Sequence, residues 1–317
     1  MKKLFTLFLV MSLAFAGIAV IAACSSPPPP VEEPPPPPPP EPLPPPPPPP
    51  PPEPEEEPPD TSPPEISISL SPQPFSPDGD GVDDLLTVNI GIKTASPIHG
   101  WHIEIREPIS PYLLFSEWGG DGMPDETIIW DGLSASGELV QSASEYHFAI
   151  LVTNIYNESS VYQGTISVDV LVQREGELLR VIVPSIVFAP NAGDFKGLDP
   201  ETMEHNDSIL QRIAEILGNF DTYRVKVEGH ANPTTAPGTS RRNTEETKGL
   251  YRGDKGLLPL SEERAKAVVD YLVGLGVAQD RLTSVGAGSS RTVAAFEDRD
   301  NWWKNRRVEF ILEKPEN

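Results

Sequence analysis

The sequence predicts a multidomain protein in which a disordered proline-rich linker precedes a β-sandwich, which is followed by an α/β sandwich. The linker is predicted because 24 of the 40 prolines lie between Pro27 and Pro59, where no core can form. The β-sandwich is predicted because apolar and polar residues alternate in short segments over 65–180. The α/β sandwich is predicted because strand and helix periods alternate over 181–317 in the order β-α-β-α-β-β. We therefore expect four segments, at 1–23, 24–64, 65–180 and 181–317.

The charge balance limits what the chain can bind. It has 24 Lys and Arg against 47 Asp and Glu, a formal net charge of −23 at pH 7. Nucleic-acid binding needs a basic surface, so we expect no nucleic-acid partner. The single cysteine, Cys24, excludes an internal disulfide framework and a cysteine-based zinc cluster. The five histidines are scattered, and His99 and His102 alone are too few for a metal site, so we expect no cofactor.

The first 24 residues have the composition of a targeting sequence. Lys2 and Lys3 precede an uncharged apolar stretch, Leu4–Ala23, whose last small residues lead to Cys24. This pattern resembles a bacterial lipoprotein signal, which implies cleavage before Cys24 and lipidation of that cysteine. Ser25, rather than an aspartate, follows the cysteine, and by the best-known sorting rule this implies the outer membrane. The alternative is an uncleaved helix, since about 20 apolar residues can span a bilayer.

Residues 24–64 are predicted to be a spacer. Proline runs interrupted by glutamates favour an extended polyproline II conformation of about 3.1 Å per residue, so the segment would reach on the order of 100 Å. Such an extended acidic segment, between a membrane anchor and folded domains, suits a stalk. The alternative is a ligand for a proline-recognising domain.

Residues 65–180 contain short segments of alternating polarity and no long helical pattern, which predicts an antiparallel β-sandwich. The segments lie at Ile66–Leu70, Leu86–Ile92, Trp101–Ile105, Phe148–Val152 and Ile166–Val170. Two sequence motifs stand out, one at Pro74–Asp84 and one at Ile129–Gly132 with the later Tyr146–Phe148. They resemble motifs of the immunoglobulin-like modules of bacterial surface and flagellar hook-cap proteins. The resemblance implies an immunoglobulin-like fold, and a fold alone implies no function.

Four aspartates in one short loop are candidate calcium ligands: Asp78, Asp80, Asp83 and Asp84. Alternating aspartate and glycine supplies oxygen ligands on a sharply turning loop. The pattern departs from a complete EF-hand loop, because the twelfth position from Asp78 is Asn89 rather than a glutamate. The alternative is an acidic turn whose aspartates accept hydrogen bonds from its own backbone. Both interpretations stay open, and no other metal site is expected.

Residues 181–317 show the pattern of an α/β domain. A first helix is predicted to start at Asp199–Pro200 and to end at Gly218. Ser261 is predicted to cap a second helix that ends at Gly274. Strands are predicted at Val181–Phe188, Val225–His230, Leu282–Val285 and Val308–Leu312.

Four motifs follow one another in this region: Val-Glu-Gly-His-Ala-Asn at Val227–Asn232, Leu-Ser-Glu-Glu-Arg-Ala at Leu260–Ala265, the glycine-rich Gly276–Gly288, and Asn-Arg-Arg-Val-Glu-Phe at Asn305–Phe310. In this order they resemble the OmpA-like peptidoglycan-binding domain. The resemblance covers about 181–314. It implies non-covalent binding of cell-wall peptide stems, in which an aspartate and an arginine hold the ammonium and the carboxylate of diaminopimelate.

The family's binding residues fall on four positions of this chain: Asn191, Asn232, Arg264 and Arg306. Arg264, predicted in the first turn of the second helix, corresponds to the arginine that binds the carboxylate. Asn232 stands where the family has aspartate, and its uncharged amide would weaken binding of an ammonium about tenfold. Leu257 replaces a further asparagine of the family. Of Arg306 and Arg307, we expect Arg306 to face the ligand.

Three explanations of this departure stay open. The wall contains a different diamino acid, the long loop 233–259 rebuilds the site, or wall binding is lost and the domain binds a protein. The loop carries five basic residues, Arg241, Arg242, Lys248, Arg252 and Lys255, although a plain solvated insertion is the alternative. Trp302 and Trp303 are predicted to pack rather than to stack on sugars.

We therefore predict an outer-membrane lipoprotein, facing the periplasm, that tethers the membrane to the cell wall through its OmpA-like domain. The expected partners are the peptide stem with its diamino acid, the membrane through the lipid anchor, and further envelope proteins. The alternative is a scaffold or adhesion lipoprotein whose OmpA-like domain binds a protein instead. The sequence contains no Ser/His/Asp set, phosphate loop or paired-carboxylate cleft in a supporting context, so no enzyme activity is expected.

Overall fold

The computed structural model describes residues 58–233 and 256–315. The chain divides into two units, Met1–Glu56 and Glu57–Asn317, and all the described residues belong to the second. The predicted signal sequence, the lipidation site Cys24 and the spacer up to residue 57 lie outside the described residues. Within the described part, none of the helices has the length and apolar character needed to cross a membrane.

The first half of the described chain, residues 58–172, consists of two antiparallel sheets that share one core. Along the sixth strand Tyr146, Phe148, Ile150 and Val152 are buried between more exposed neighbours, so the predicted alternation is present. One sheet has the order β1-β2-β5 and the other β4-β3-β6-β7. The strands are β1 (Glu65–Ser71), β2 (Leu86–Lys93), β3 (Ile98–Arg106), β4 (Leu114–Asp121), β5 (Thr127–Trp130), β6 (Glu145–Asn154) and β7 (Ser159–Ser167).

The turn after β5 closes one end of this core. Trp130 is buried, and its Nε1 donates a hydrogen bond to the Leu133 carbonyl at 2.8 Å. Gly132 has a φ of 80°, and a Cβ at this position would lie 2.8 Å from Cγ of Pro77. A side chain would therefore meet both backbone strain and steric overlap, which explains the glycine after Trp-Asp.

The second half, residues 173–315, has two helices on one face of a five-stranded sheet, so the predicted α/β fold is confirmed. The strand order is β11-β10-β12-β9-β8, in which the β10–β11 pair is parallel and the others are antiparallel. The elements are β8 (Gln173–Glu175), β9 (Leu178–Val183), α1 (Pro200–Asn219), β10 (Arg224–His230), α2 (Leu257–Gly274), β11 (Leu282–Gly288) and β12 (Val308–Glu313), with 3-10 helices at Gln279–Arg281 and Arg299–Asn305.

The start of this sheet differs from the sequence prediction. The sheet begins at Gln173 in the hairpin β8–β9, and the long strand ends at Val183 rather than at Phe188. Beyond Val183 the backbone leaves the sheet, and the Val187 N–H donates to the side chain of Asn206 at 2.9 Å. The observed order is therefore β-β-α-β-α-β-β, one strand more than predicted.

Helix α1 begins where the sequence predicts. The Asp199 side chain accepts a hydrogen bond from the Thr202 N–H at 2.9 Å, and Pro200 occupies the first helical position. The apolar stripe of α1 faces the sheet through Ile209, Leu210, Ile213, Ile216 and Leu217.

Helix α2 begins at Leu257, so the predicted cap at Ser261 is wrong. Ser261 is fully buried inside the helix, where its hydroxyl donates to the Leu258 carbonyl at 2.8 Å and accepts from the Gly288 N–H at 2.9 Å. The residues from Leu257 supply an additional turn, in which a proline near the helix start is tolerated. The serine therefore joins the helix to β11 instead of starting the helix.

The two halves contact each other through ion pairs at two places. Nζ of Lys304 lies 2.6 Å from Oε1 of Glu107 and 2.7 Å from Oε1 of Glu138. On α1, Nη2 and Nε of Arg212 donate to the two carboxylate oxygens of Asp169 at 2.7 and 3.0 Å. Both contacts join a basic residue of the second half to an acidic residue of the first.

Candidate functional site

Arg264 is held in place by the loop between β9 and α1. It is the eighth residue of α2, two turns from the start, so it does not lie in the first turn as predicted. Its Nε donates to the Ala192 carbonyl at 3.0 Å, and its guanidinium lies 5.0 Å from the centroid of the Phe188 ring. Phe188 stacks on Phe195 at 4.9 Å. These contacts fix the direction of the guanidinium while leaving its terminal nitrogens without a hydrogen bond to any described residue.

Arg306 and Arg264 line the same cleft and repel each other. Arg306 is exposed, directly after the 3-10 helix Arg299–Asn305. Burial, and then the charge of Arg306, lowers the pKa of Arg264 below its usual value. Over residues 58–233 and 256–315 neither guanidinium pairs with a carboxylate. Two cations without a described counter-ion create a positive potential that suits a carboxylate, which accepts charge-assisted hydrogen bonds from guanidinium groups.

Asn232 is positioned by Asn305, whose Nδ2 donates to Oδ1 of Asn232 at 2.9 Å. Asn305 is fully buried, and its amide group is fully bonded. Nδ2 also donates to the Ala294 carbonyl at 3.0 Å, while Oδ1 accepts from the N–H groups of Val293 at 2.8 Å and Ala294 at 3.0 Å. One lone pair of the Asn232 oxygen is left for a ligand that donates a hydrogen bond.

Asn191 lies in the loop that holds Arg264. It is exposed and has a φ of 59°, a left-handed conformation that asparagine tolerates. Its neighbour Ala192 supplies the carbonyl bonded to Arg264. The structure therefore links Asn191 to Arg264 through residue 192, and Asn232 to Arg306 through residue 305. Among the described residues, no hydrogen bond joins the four predicted side chains directly.

A cleft of about 770 Å³ lies between the two halves, with Arg264 and Arg306 in its lining. The second half also contributes Phe188, His230 and Trp303, and the first half contributes Pro108, Glu145, His147 and Asp169. Asn191 and Asn232 are not among the lining residues. The sides of the cleft therefore come from both halves, which the sequence did not predict.

A buried ionic network adjoins the cleft on β10 and β12. Glu228 and Glu309 are opposite each other across these strands, and both are buried. Each carboxylate has two cationic partners: Arg291 at 2.9 Å and Lys226 at 3.1 Å for Glu228, Arg307 at 2.7 Å and Arg180 at 3.1 Å for Glu309. Arg307 is thus buried in the network, whereas the adjacent Arg306 is exposed.

His230 lies beside both carboxylates of this network. Its Nε2 is 3.4 Å from Glu309 and 3.8 Å from Glu228, and neither ring nitrogen has a hydrogen-bond partner among the described residues. Ligand atoms of the three residues lie within 4.8 Å of one another, close enough for a metal ion. The charges argue against one, because four cationic side chains already neutralise two carboxylates. Burial, and then Arg307, lowers the pKa of His230 to about 4, so it is neutral at pH 7.

Three of the four candidate calcium ligands converge. Oxygens of Asp78, Asp80 and Asp84 lie within 4.8 Å of one another, and Asp83 is not part of this group. The carboxylates accept backbone hydrogen bonds, as the acidic-turn interpretation requires. The donors are Gly79 and Gly81 to Asp84, Val82 to Asp80, and Asp80 and Val172 to Asp78, at 2.7–3.3 Å. Calcium binding stays a prediction.

Lys304 and Asn305 have roles that the sequence analysis did not assign. Asn305 opens the Asn-Arg-Arg motif, so its place in the motif was a usable signal. Lys304 had none, because its partners Glu107 and Glu138 are 197 and 166 residues away in the chain. Trp303 is buried, and Trp302 donates to the Phe296 carbonyl, in line with the packing interpretation. The five basic residues of the long loop lie outside the described residues.

Comparison with known proteins identifies one family and several individual relatives. The model of the OmpA family matches residues 198–306. The chain is 35% identical over 104 residues to the peptidoglycan-binding protein ArfA of Mycobacterium tuberculosis, covering 33% of this chain and 27% of that protein. It is 33% identical over 128 residues to the peptidoglycan-associated lipoprotein of Mesorhizobium japonicum, covering 39% of this chain and 66% of that protein.

Among solved structures, the cell wall anchor of the T6SS from Pseudomonas aeruginosa is similar with 23% identity and a TM-score of 0.33, covering 45% of this chain and 87% of that one. The chain spans about a quarter of the length of the ArfA proteins that it matches. The family match and the observed α/β topology agree on one segment. Residues 198–306 form an OmpA-like domain, and its relatives include proteins named for peptidoglycan binding or association.

Proposed function

We propose that this chain is an outer-membrane lipoprotein, facing the periplasm, that tethers the membrane to the cell wall by binding peptidoglycan non-covalently. The observation that carries the proposal is the pair Arg264 and Arg306, which have no described counter-ion and lie within an OmpA-like domain. The relatives named for peptidoglycan support the ligand class, and one of them is named as a lipoprotein.

Each predicted residue has a role that its surroundings support. Arg264 binds the side-chain carboxylate of the stem's diamino acid with its terminal nitrogens, because Nε is already bonded to Ala192. Arg306 adds a second cation next to that carboxylate. Asn232 accepts a hydrogen bond from the ammonium through its remaining lone pair. Asn191 shapes the turn that presents the Ala192 carbonyl to Arg264.

Because Asn232 is neutral, the charges of Arg264 and Arg306 leave this site positive. An aspartate would balance one of the two guanidinium charges, whereas the amide leaves both in excess over the described residues. The hydrogen bond from an ammonium is charge-assisted with either acceptor, but an aspartate adds an ion-pair attraction that the amide lacks. We infer a preference for stems that carry a free carboxylate, with the ammonium contributing less.

The remaining parts of the proposed tether are a signal peptide at 1–23, a lipidated Cys24 with a spacer to residue 64, and an immunoglobulin-like domain at 65–180. The two antiparallel sheets with orders β1-β2-β5 and β4-β3-β6-β7 support the last assignment. The hairpin β8–β9 crosses the boundary at residue 180, and its pairing to β12 supports a boundary near residue 172. No catalytic role is proposed.

Co-sedimentation with purified sacculi whose stems contain diaminopimelate tests the proposal. The full chain in mild detergent is compared with Arg264→Ala and with Arg299→Ala, a control that removes an exposed arginine at the start of the 3-10 helix Arg299–Asn305. We expect wild type and Arg299→Ala to sediment, and Arg264→Ala to lose ten- to a hundredfold in affinity, because a charged hydrogen bond is lost. Equal sedimentation of wild type and Arg264→Ala would refute the assignment of Arg264.

A second candidate function follows from Asn232 itself. Since the family's aspartate is absent, the same domain in a scaffold or adhesion lipoprotein would bind a protein instead. Asn232→Asp separates the two. If wild type stays in the supernatant while Asn232→Asp sediments, the site has lost wall binding and the protein-binding function is supported.

A further inference from the structure

The 3-10 helix Arg299–Asn305 and the residue after it connect three parts of the molecule. Lys304 pairs with the first half, Asn305 bonds to Asn232, and Arg306 lines the cleft. These three residues are consecutive, so their Cα atoms lie within about 8 Å along the chain. A shift of one of them therefore moves the other two.

The ion pair between Lys304 and Glu107 of the first half is buried. Lys304 is 7% exposed and lies 2.6 Å from Glu107, which is 4% exposed, and 2.7 Å from Glu138. Burial alone would lower the pKa of Lys304, but the two carboxylates raise it above its usual value. Two charge-assisted hydrogen bonds in such an environment are geometrically specific, and removing one partner leaves a buried charge unpaired. The contact therefore defines where the end of the 3-10 helix sits.

A 3-10 helix of this length needs side-chain contacts with the rest of the protein to be stable. Its i to i+3 hydrogen bonds have poor geometry, and seven residues of this conformation are not stable alone. At its C-terminal end the Arg306 N–H donates to the Trp303 carbonyl at 3.1 Å. The side-chain contacts of Lys304 with the first half and of Asn305 with the second half hold this end.

We propose that the first half holds the peptidoglycan-binding site in its working arrangement, with Lys304 as the positioning residue for Asn305, Arg306 and, through Asn305, Asn232. This inference rests on the proposed function of the OmpA-like domain. The wall-binding unit is then the two halves together, and the first half is part of the site rather than an inert spacer. When the docked arrangement is populated only in part, the apparent affinity falls by that fraction.

The second contact between the halves provides a matched control. Arg212 binds Asp169 with two nitrogens, but it lies on α1, remote in sequence from the 3-10 helix. Arg212 is 47% exposed, and its removal leaves Asp169, which is 15% exposed and still accepts a hydrogen bond from the Val170 N–H at 2.7 Å. If docking in general mattered, Arg212→Met and Lys304→Met would act alike. Arg212 also lines the cleft, so this control is judged by hydrogen exchange and not by affinity. If positioning through the 3-10 helix matters, only Lys304→Met changes exchange of the amides bonded to Asn305.

The experiment measures two quantities on the full chain in mild detergent. One is the affinity for a soluble stem tripeptide that ends in diaminopimelate. The other is hydrogen exchange of the Val293 and Ala294 amides, which donate to Asn305. The variants are Lys304→Met, Lys304→Arg, Arg212→Met and Glu107→Gln, the last of which keeps Lys304 and its second carboxylate.

We expect Lys304→Met and Glu107→Gln to weaken binding about tenfold and to speed exchange at 293–294, while Arg212→Met leaves this exchange unchanged. Lys304→Arg, which keeps the charge, should retain most of the affinity. Wild-type affinity and exchange in Lys304→Met or Glu107→Gln overturn the inference, as does equally fast exchange at 293–294 in Arg212→Met. If the wild-type protein itself fails to bind the tripeptide, the proposed function is refuted. This outcome is therefore distinct from a failure of the positioning inference.

Discussion

Replacing Asn305 by alanine removes four hydrogen bonds from one fully buried side chain. Two are accepted from the N–H groups of Val293 and Ala294, and two are donated, to the Ala294 carbonyl and to Asn232. Val293 is 61% exposed, so its N–H can bond to water after the substitution. The other three groups lose their partner at buried or partly buried positions. At about 1 kcal/mol each, we expect a loss of about 3 kcal/mol in the free energy of unfolding.

Urea unfolding followed by circular dichroism measures this loss, and the slope m shows whether the unfolding transition itself has changed. A loss of 3 kcal/mol also lowers the melting temperature by roughly 6–12 °C for a unit of this size. The control is Asn301→Ala in the same 3-10 helix, whose amide nitrogen makes one hydrogen bond, to Asp298 at 3.0 Å. The reasoning is refuted if Asn305→Ala destabilises the protein no more than Asn301→Ala does.

Two further predictions concern the sheet of the second half. Gly229→Ala would place a Cβ 2.0 Å from the Ser261 carbonyl oxygen of α2, so it should lower the melting temperature strongly. The control is Gly218→Ala in α1, where a Cβ meets open space, and it should raise the free energy of unfolding by up to about 1 kcal/mol. His230 has a pKa of about 4 in the folded protein and about 6.5 when unfolded, so the unfolded state binds more protons between these values and stability falls as the pH falls. From pH 7 to pH 5 this costs roughly 2 kcal/mol, a loss that His230→Gln should not show in urea unfolding at the two pH values.

The parts of the fold that sequence predicts are set by neighbouring residues. Asp199 and Pro200 start α1 because a cap and its helix are only three residues apart. The alternation along β6 reports burial because each side chain of a strand faces opposite to the next. The motif residues Arg264 and Arg306 line one cleft.

The features that the sequence predicts wrongly or does not predict depend on contacts between distant segments. Ser261 looks like a helix cap, but its hydroxyl binds Gly288, 27 residues away. The buried ionic network could not be predicted from the sequence either. Glu228 and Glu309 are far apart in the chain, and only the sheet register places them opposite each other. The role of the first half in the cleft depends on docking between separate cores, which no local pattern encodes.

The central claim is that Arg264 recognises a carboxylate of the wall peptide. Calorimetric titration of the full chain with two soluble stem tripeptides tests it most directly, one with the free side-chain carboxylate of diaminopimelate and one with that group amidated. We predict at least tenfold tighter binding of the free acid, and a clearly smaller difference in Arg264→Ala, because amidation removes the carboxylate charge that pairs with the guanidinium. Equal affinity for the two peptides, or an undiminished difference in Arg264→Ala, would contradict the account.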